Sequence, residues 1–129
     1  MENQTSSVFK ILLVEDDEIT NYITTTKLKN IGFENVDAVL NGELALEYLA
    51  KEQPNLIFLD VNMPVMDGFE FLDSEEVKNQ YSGIPIVLLT SSSRPKDKEM
   101  ASRYSNVIEY LEKPLNYEKM KKILLAINK

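Results

Sequence analysis

The stretch Leu56-Ile57-Phe58-Leu59-Asp60-Val61-Asn62-Met63-Pro64 decides how the chain is read. Four apolar residues run straight into an acidic one, and a turn follows at once, marked by Pro64 and then by Asp67-Gly68. A run this short and this apolar predicts a strand buried on both faces, with Asp60 where the strand leaves the core. In an open parallel sheet, chemistry collects outside the carboxyl ends of the strands. Taken alone, an Asp at a strand end is an ordinary turn residue. The rest of the chain has to say whether Asp60 works.

Outward from that stretch the pattern repeats. Phe9 to Val14 is an apolar run ending in Glu15-Asp16-Asp17, and a helix follows from about Glu18 to Ile31. Asp17 is a plausible N-cap and Gly32 the stop, and Ile19, Tyr22, Ile23 and Thr26 carry an only moderately apolar pattern. Val36 to Leu40 reads as a short strand, and Asn41-Gly42 leads into a helix with Ala45, Tyr48 and Leu49 on one face. Beyond the central strand, Asp67 and Glu70 have capping-box spacing for a helix that buries Phe69 and Leu72. Ile86 to Leu89 is a fourth strand, running into Thr90-Ser91-Ser92-Ser93. Pro95 suits the first turn of a helix to about Tyr104, with Met100, Ala101 and Tyr104 inward. Val107 to Leu111 is the last strand. Asn116 caps a final helix with a core stripe of Met120, Ile123, Leu124 and Ile127. Five strands alternating with five helices predict a parallel sheet covered on both faces.

Composition narrows the chemistry. The chain has 129 residues, enough for one domain with a real core. It has no cysteine and no histidine, which removes disulfides, thiol nucleophiles, the commonest general base and any ordinary zinc site. Its net charge of −7 argues against a nucleic-acid binder, which needs a basic stripe. The cluster Lys113, Lys119, Lys121 and Lys122 is interleaved with Glu112 and Glu118 and reads as a solvated face, or secondarily as a partner surface. Apolar runs are strand-length and the start is not signal-like, so no membrane association and a cytoplasmic location are expected. Met1 to Ser7 reads as a flexible tail and residues 8–129 as the single domain.

Four of the five strands end in groups with chemical capability: Glu15-Asp16, Asp60, Thr90, and Lys113 just after the fifth. Only the strand ending at Leu40-Asn41 offers none. In a doubly wound sheet ordered 2-1-3-4-5, that strand lies at an edge and the first and third are neighbours. Three carboxylates in one crevice oppose one another's ionisation, and a divalent cation removes the conflict. Oxygen-only donors suit Mg2+, with Mn2+ as the substitute. A metal-loaded acidic pocket can take a phosphate. Lys113 adds a positive charge and Thr90 a hydroxyl, and Asp60 becomes a candidate nucleophile for an acyl-phosphate.

These residues resemble the receiver domain of bacterial two-component response regulators. The likeness runs through Ile11-Leu12-Leu13-Val14-Glu15-Asp16-Asp17, Asp60 to Gly68, Leu89-Thr90-Ser91-Ser92 and Tyr110-Leu111-Glu112-Lys113-Pro114. It implies a flavodoxin-like α/β fold and supplies the 2-1-3-4-5 strand order. It also implies that Asp60 accepts a phosphoryl group from a phosphohistidine on a sensor histidine kinase or a histidine phosphotransfer protein. Asp16, Asp60 and the backbone carbonyl of Asn62 would bind Mg2+ directly, and Glu15, where Asp is frequent, through water. Lys113 would contact the phosphoryl group, and the Lys113-Pro114 bond would be cis. Thr90 and Tyr110 match paired switch positions, and Asn62 and Ser92 match positions that tune the aspartyl-phosphate lifetime.

Single residues also have ordinary readings. Glu15-Asp16-Asp17 can be a helix-start acidic cluster, Thr90 a cap, Lys113-Pro114 a loop pair and Tyr110 a half-buried strand aromatic. Their joint placement at the strand ends favours the working site. A flavodoxin-type flavin binder is disfavoured, because Glu15-Asp16-Asp17 would repel the phosphate its first loop must hold. A haloacid-dehalogenase-type phosphatase is disfavoured by Asn62, where that family expects a second acid. A degenerate docking module is the remaining alternative. The expectation is a stand-alone regulator, not an enzyme toward other molecules, and a monomer or weak homodimer. It would act as a phosphorelay shuttle or as a diffusible switch. In the switch, a target binds the last two helices and the strand between them, near Tyr104, Tyr110 and Lys119.

Overall fold

A computed structural model describes residues 8–91 and 95–128. The tail expected over residues 1–7, and Ser92, lie outside the described residues. The strands are β1 (Lys10–Val14), β2 (Asn35–Val39), β3 (Leu56–Asp60), β4 (Ile86–Thr90) and β5 (Val107–Glu112). All pair in parallel in the order β2-β1-β3-β4-β5. β3 and β4 are buried at every position, as uniformly apolar runs in the middle of a covered parallel sheet must be. β2, at one edge, is exposed or half-exposed throughout.

Alternation along the strands divides the core in two. Leu12, Val14, Ile57, Leu59, Ile86 and Leu88 face one layer of helices. Ile11, Leu13, Leu56, Phe58, Val87 and Leu89 face the other. The first layer comprises α2 (Gly42–Leu49), α3 (Gly68–Asp73), α4 (Glu75–Asn79) and α5 (Pro95–Ala101), and the second α1 (Glu18–Asn30) and α6 (Tyr117–Ile127). Fully burying one such Leu, Ile or Phe contributes about 1.5–3 kcal/mol, so the sheet interior dominates stability.

Two expectations are corrected. The fold class stands, but the described residues hold six helices, because the third divides at Ser74. There the backbone is extended, the Ser74 hydroxyl donates to Phe71 O at 2.7 Å, and its oxygen accepts from Val77 N at 3.2 Å. One serine thus closes α3 and caps α4. The capping box of α3 forms as expected, with Asp67 and Glu70 exchanging bonds of 2.8 and 2.9 Å; the helix buries Leu72 with Phe71, while Phe69 is only half-buried.

The second correction concerns α1. It buries Asn21, Thr24 and Leu28 and turns Ile19 and Tyr22 outward at 70% and 74% exposure, with Ile23 also exposed. The rotation is set by polar anchors. Asp17 accepts from Ile19 N at 3.0 Å and from Thr20 Oγ1 at 2.9 Å. Asn21 Nδ2 donates to Glu15 O at 2.9 Å, and Thr24 Oγ1 meets the Tyr117 hydroxyl at 3.3 Å. Gly32 ends the helix at φ 108°, letting Phe33 N donate back to Leu28 O at 3.0 Å.

Candidate functional site

The carboxyl ends of β1, β3 and β4 and the residue after β5 meet in one crevice. Asp60 is the last residue of β3 and only 3% exposed. The next amide, Val61 N, donates to Leu89 O at 2.9 Å and keeps the ladder closed past it. Glu15 is likewise fixed by its backbone, which donates to Val39 O at 3.1 Å, and its side chain is buried. Asp16, one residue on, is exposed. Carboxylate oxygens of Glu15, Asp16 and Asp60 all lie within 4.8 Å of one another.

Lys113 enters from the far side. Its Nζ lies 2.7 Å from Glu15 Oε1 and 3.3 Å from Asp60 Oδ1. Its backbone amide donates to Thr90 O at 2.7 Å, so β4 and β5 are joined at the crevice. The Lys113-Pro114 bond is cis. Thr90 ends β4 and is fully buried. Tyr110 is half-buried on β5, with Lys98 Nζ 5.9 Å from its ring centroid.

Burial pushes the Asp60 carboxyl above its ordinary value; Lys113 opposes that shift, Asp16 adds to it, and the Asn62 amide opposes it. The Glu15 carboxyl is also raised, again by burial first, against the bond from Lys113 and with the Asp60 charge adding to it. Burial would lower Lys113, but its bond to Glu15 and the charges of Asp60 and Glu15 outweigh that and raise it. The three groups form one network in which the lysine is the counter-charge.

The loop after Asp60 is tightly held. A Cβ on Gly68 would sit 2.7 Å from Asp60 O, so only glycine fits. Met66 N donates to Pro64 O at 2.7 Å across Val65, whose φ of 68° is unusual for a β-branched residue. Gly42 N donates to Met66 O at 2.9 Å, fastening the start of α2 to this loop. Asn62 is exposed two residues beyond Asp60.

The donor set fits a hard cation. Oxygens opposed across Mg2+ are at most about 4.2 Å apart, so a cluster within 4.8 Å needs only a small inward shift. Both Glu15 oxygens are already engaged, Oε1 by Lys113 and Oε2 by the Asp17 amide at 3.1 Å. Asp16 and Asp60 are therefore the carboxylates better placed to ligate, and Glu15 is better placed to act at one remove.

The structure thus brings together Glu15, Asp16, Asp60, Thr90 and Lys113, with Asn62 on the adjoining loop and Tyr110 on β5 two residues before its end. Ser92 lies outside the described residues. Sequence reasoning missed Asn21, which holds the Glu15 backbone from α1. A polar residue one helical turn after the Asp17 cap was its only signal.

The family model described as "Response regulator receiver domain" matches residues 11–125. Among curated proteins, the chain is 30% identical to a probable C4-dicarboxylate response regulator of Halalkalibacterium halodurans, covering 91% of this chain and 50% of that protein. It is 32% identical to a probable methanogenesis regulatory protein of Methanothrix harundinacea, covering 92% and 81%. The chain therefore spans only half the length of the first of these relatives. Among solved structures, chemotaxis protein CheY4 of Vibrio cholerae superposes with a TM-score of 0.80 at 32% identity, covering 92% of this chain and 97% of that one. No helix among the described residues is long and apolar enough to cross a membrane.

Proposed function

The chain belongs to the response regulator receiver family, and from that premise we propose that Asp60 is its phosphoacceptor, taking a phosphoryl group from a phosphohistidine on a partner protein. Receiver domains are signalling domains that work with histidine kinases or phosphotransfer proteins and hold Mg2+ in an acidic cluster. The observation that carries the assignment is Lys113 Nζ, poised between Glu15 and Asp60 at 2.7 and 3.3 Å.

In the transfer, an Asp60 carboxylate oxygen forms the new bond to phosphorus as the phosphorus–nitrogen bond to the donor imidazole breaks. Asp60 must be ionised to attack, and Lys113 opposes the burial that favours its neutral form. Asp16, Asp60 and the Asn62 carbonyl would hold Mg2+, which would supply charge neutralisation for the phosphoryl oxygens. Glu15 keeps Lys113 in place until those oxygens compete for it. The Thr90 hydroxyl and the Tyr110 ring then register the product. Asn62 and Ser92 set how long it lasts.

Two surfaces suit the partners. Ile19, Tyr22 and Ile23 lie exposed on the helix that follows Asp16, an apolar patch where a donor approaching Asp60 can rest. A cleft of about 490 Å³ lined by Lys98, Tyr110, Lys113 and Lys119 adjoins the crevice on the α5-β5-α6 side and suits a downstream target. Acetyl phosphate with Mg2+ should shift the wild-type chain on a phosphate-affinity gel, while Asp60→Asn and wild type in EDTA should not shift. An unshifted wild type, with a cognate kinase as well as with acetyl phosphate, would leave only the docking-module reading. Rapid onward transfer to a histidine protein would identify a shuttle, and stable complex formation without transfer a switch.

A further inference from the structure

At the end of the sheet opposite the carboxylate crevice, a cleft of about 520 Å³ opens between α3, α4 and the segment that follows α5. Asn106, on its border, stands just before β5, and its carbonyl accepts from Ile86 N at 2.8 Å where β4 begins. The cleft therefore lies at the amino ends of β4 and β5. A space of this size admits a small organic molecule. Its inner wall is apolar. Leu72 and Val77 are buried there, and Met100 is half-buried, a side chain that adapts to what it touches.

The rim carries two cations and one carboxylate, Lys78, Arg103 and Asp73. Asp73 is already engaged: its Oδ1 accepts from the Tyr104 hydroxyl at 2.8 Å, with Lys78 Nζ 3.8 Å away. Arg103 is near enough to that hydroxyl for its charge to act on it. Arg103 and Glu99 stand 3.8 Å apart, both exposed. Ion pairs this long and this exposed contribute little, so neither cation is committed to its acid. Two cations against one carboxylate leave the rim positive, on a chain whose net charge is −7. A rim of that sign favours an anion, and an arginine can hold a carboxylate through two parallel N–H bonds.

We propose that this cleft is a binding site for a small organic acid, a monocarboxylate whose apolar body lies on Leu72, Val77 and Met100 and whose carboxylate meets Arg103 and Lys78. The two parts of the cleft select together. Inorganic phosphate would leave the apolar wall uncovered, and an uncharged hydrocarbon would leave the cations unused. The site stands apart from Asp60 and does not depend on the phosphoacceptor reading. An occupant would bridge α4 to the end of α5, the helix that joins the strand of Thr90 to the strand of Tyr110.

The test follows the backbone amide resonances of the full chain during titration with phenylbutyrate. Phenylbutanol, the same body without the charge, and acetate, the charge without the body, are the comparisons. Phenylbutyrate should shift the amides of Leu72, Val77, Met100 and Tyr104 saturably in the millimolar range, and both comparison compounds should bind severalfold more weakly. Arg103→Gln and Lys78→Gln, both at exposed positions, should weaken phenylbutyrate severalfold and leave phenylbutanol unchanged. An absence of saturable shifts, or shifts centred on the cleft of Lys98 and Lys119 instead, would overturn the site. Equal affinity for phenylbutanol would overturn the anionic class of ligand. Undiminished binding by both variants would remove Arg103 and Lys78 as the carboxylate's partners.

Discussion

The helices α1 and α6 lie on the same face of the sheet and are built in opposite ways. α6 lays Met120 and Leu124 into the core, with Ile123 and Ile127 packed against it, and follows the rule that an amphipathic helix buries its apolar stripe. α1 contributes Leu28 to that core but otherwise buries Asn21 and Thr24, and exposes Ile19 and Tyr22. The difference follows from what each helix stands next to. α6 has hydrocarbon to cover. The start of α1 stands beside a strand end whose backbone and acidic groups need hydrogen bonds, so its inward face is polar and its apolar residues are left outside.

The contrast can be broken most directly by truncation. Leu124→Ala removes a fully buried side chain and should cost about 2–5 kcal/mol in urea denaturation, while Tyr22→Ala should stay within about 0.5 kcal/mol. Similar losses at the two positions would end the argument. Next in size, Asn21→Ala leaves the Glu15 carbonyl without its buried donor and should cost about 1–3 kcal/mol, a cost no polar residue on the outer face of α6 should match. Lys122→Ala is the control.

The caps sharpen the comparison through pH. Asn116 caps α6 by accepting from Lys119 N at 3.1 Å, and Asn116→Ala should cost about 1 kcal/mol at every acidic to neutral pH. Asp17 caps α1 as a carboxylate held below its ordinary value by its bonds from Thr20 and then Ile19. A depressed pKa contributes stability above the unfolded-state value and loses it as pH falls through the folded one. In metal-free buffer, Asp17→Ala should therefore lower the melting temperature at pH 7, by an amount that shrinks below pH 3.8. A pH-independent difference would show that charge contributes nothing to this cap. Smallest in stability is the double change Ile19→Ser with Tyr22→Ser. It should leave the melting temperature and acetyl-phosphate labelling unchanged but slow transfer from a protein phosphohistidine severalfold. Unchanged transfer would remove the outer face of α1 from the donor's path.

The same comparison explains what could be read from the chain. Leu56 to Asp60 and Ile86 to Thr90 are legible because a doubly covered strand has a composition few other elements share. The Asp67-Glu70 capping box is legible because it is local. Asp16, Asp60, Thr90 and Lys113 could be grouped because strand ends in a parallel sheet converge. The orientation of α1 could not be read, because it depends on the Glu15 backbone and on Tyr117, 93 residues from Thr24. The break at Ser74 carries neither glycine nor proline. Its one local sign, a serine followed by Glu75-Glu76, is easily lost inside a helical stretch. Asn21 was invisible for the same reason as α1: its value lies in a backbone atom that sequence does not display.

The bond between Lys113 and Glu15 spans 98 residues, and this sets an order in time. A ribosome releases Glu15, Asp16 and Asp60 before Lys113, so in that interval the acids exist without the cation that steadies them. No fragment that stops short of the fifth strand contains the crevice in working form. The complete crevice therefore waits for Lys113. It arrives together with the closing strand, so a half-made molecule cannot answer for a finished one.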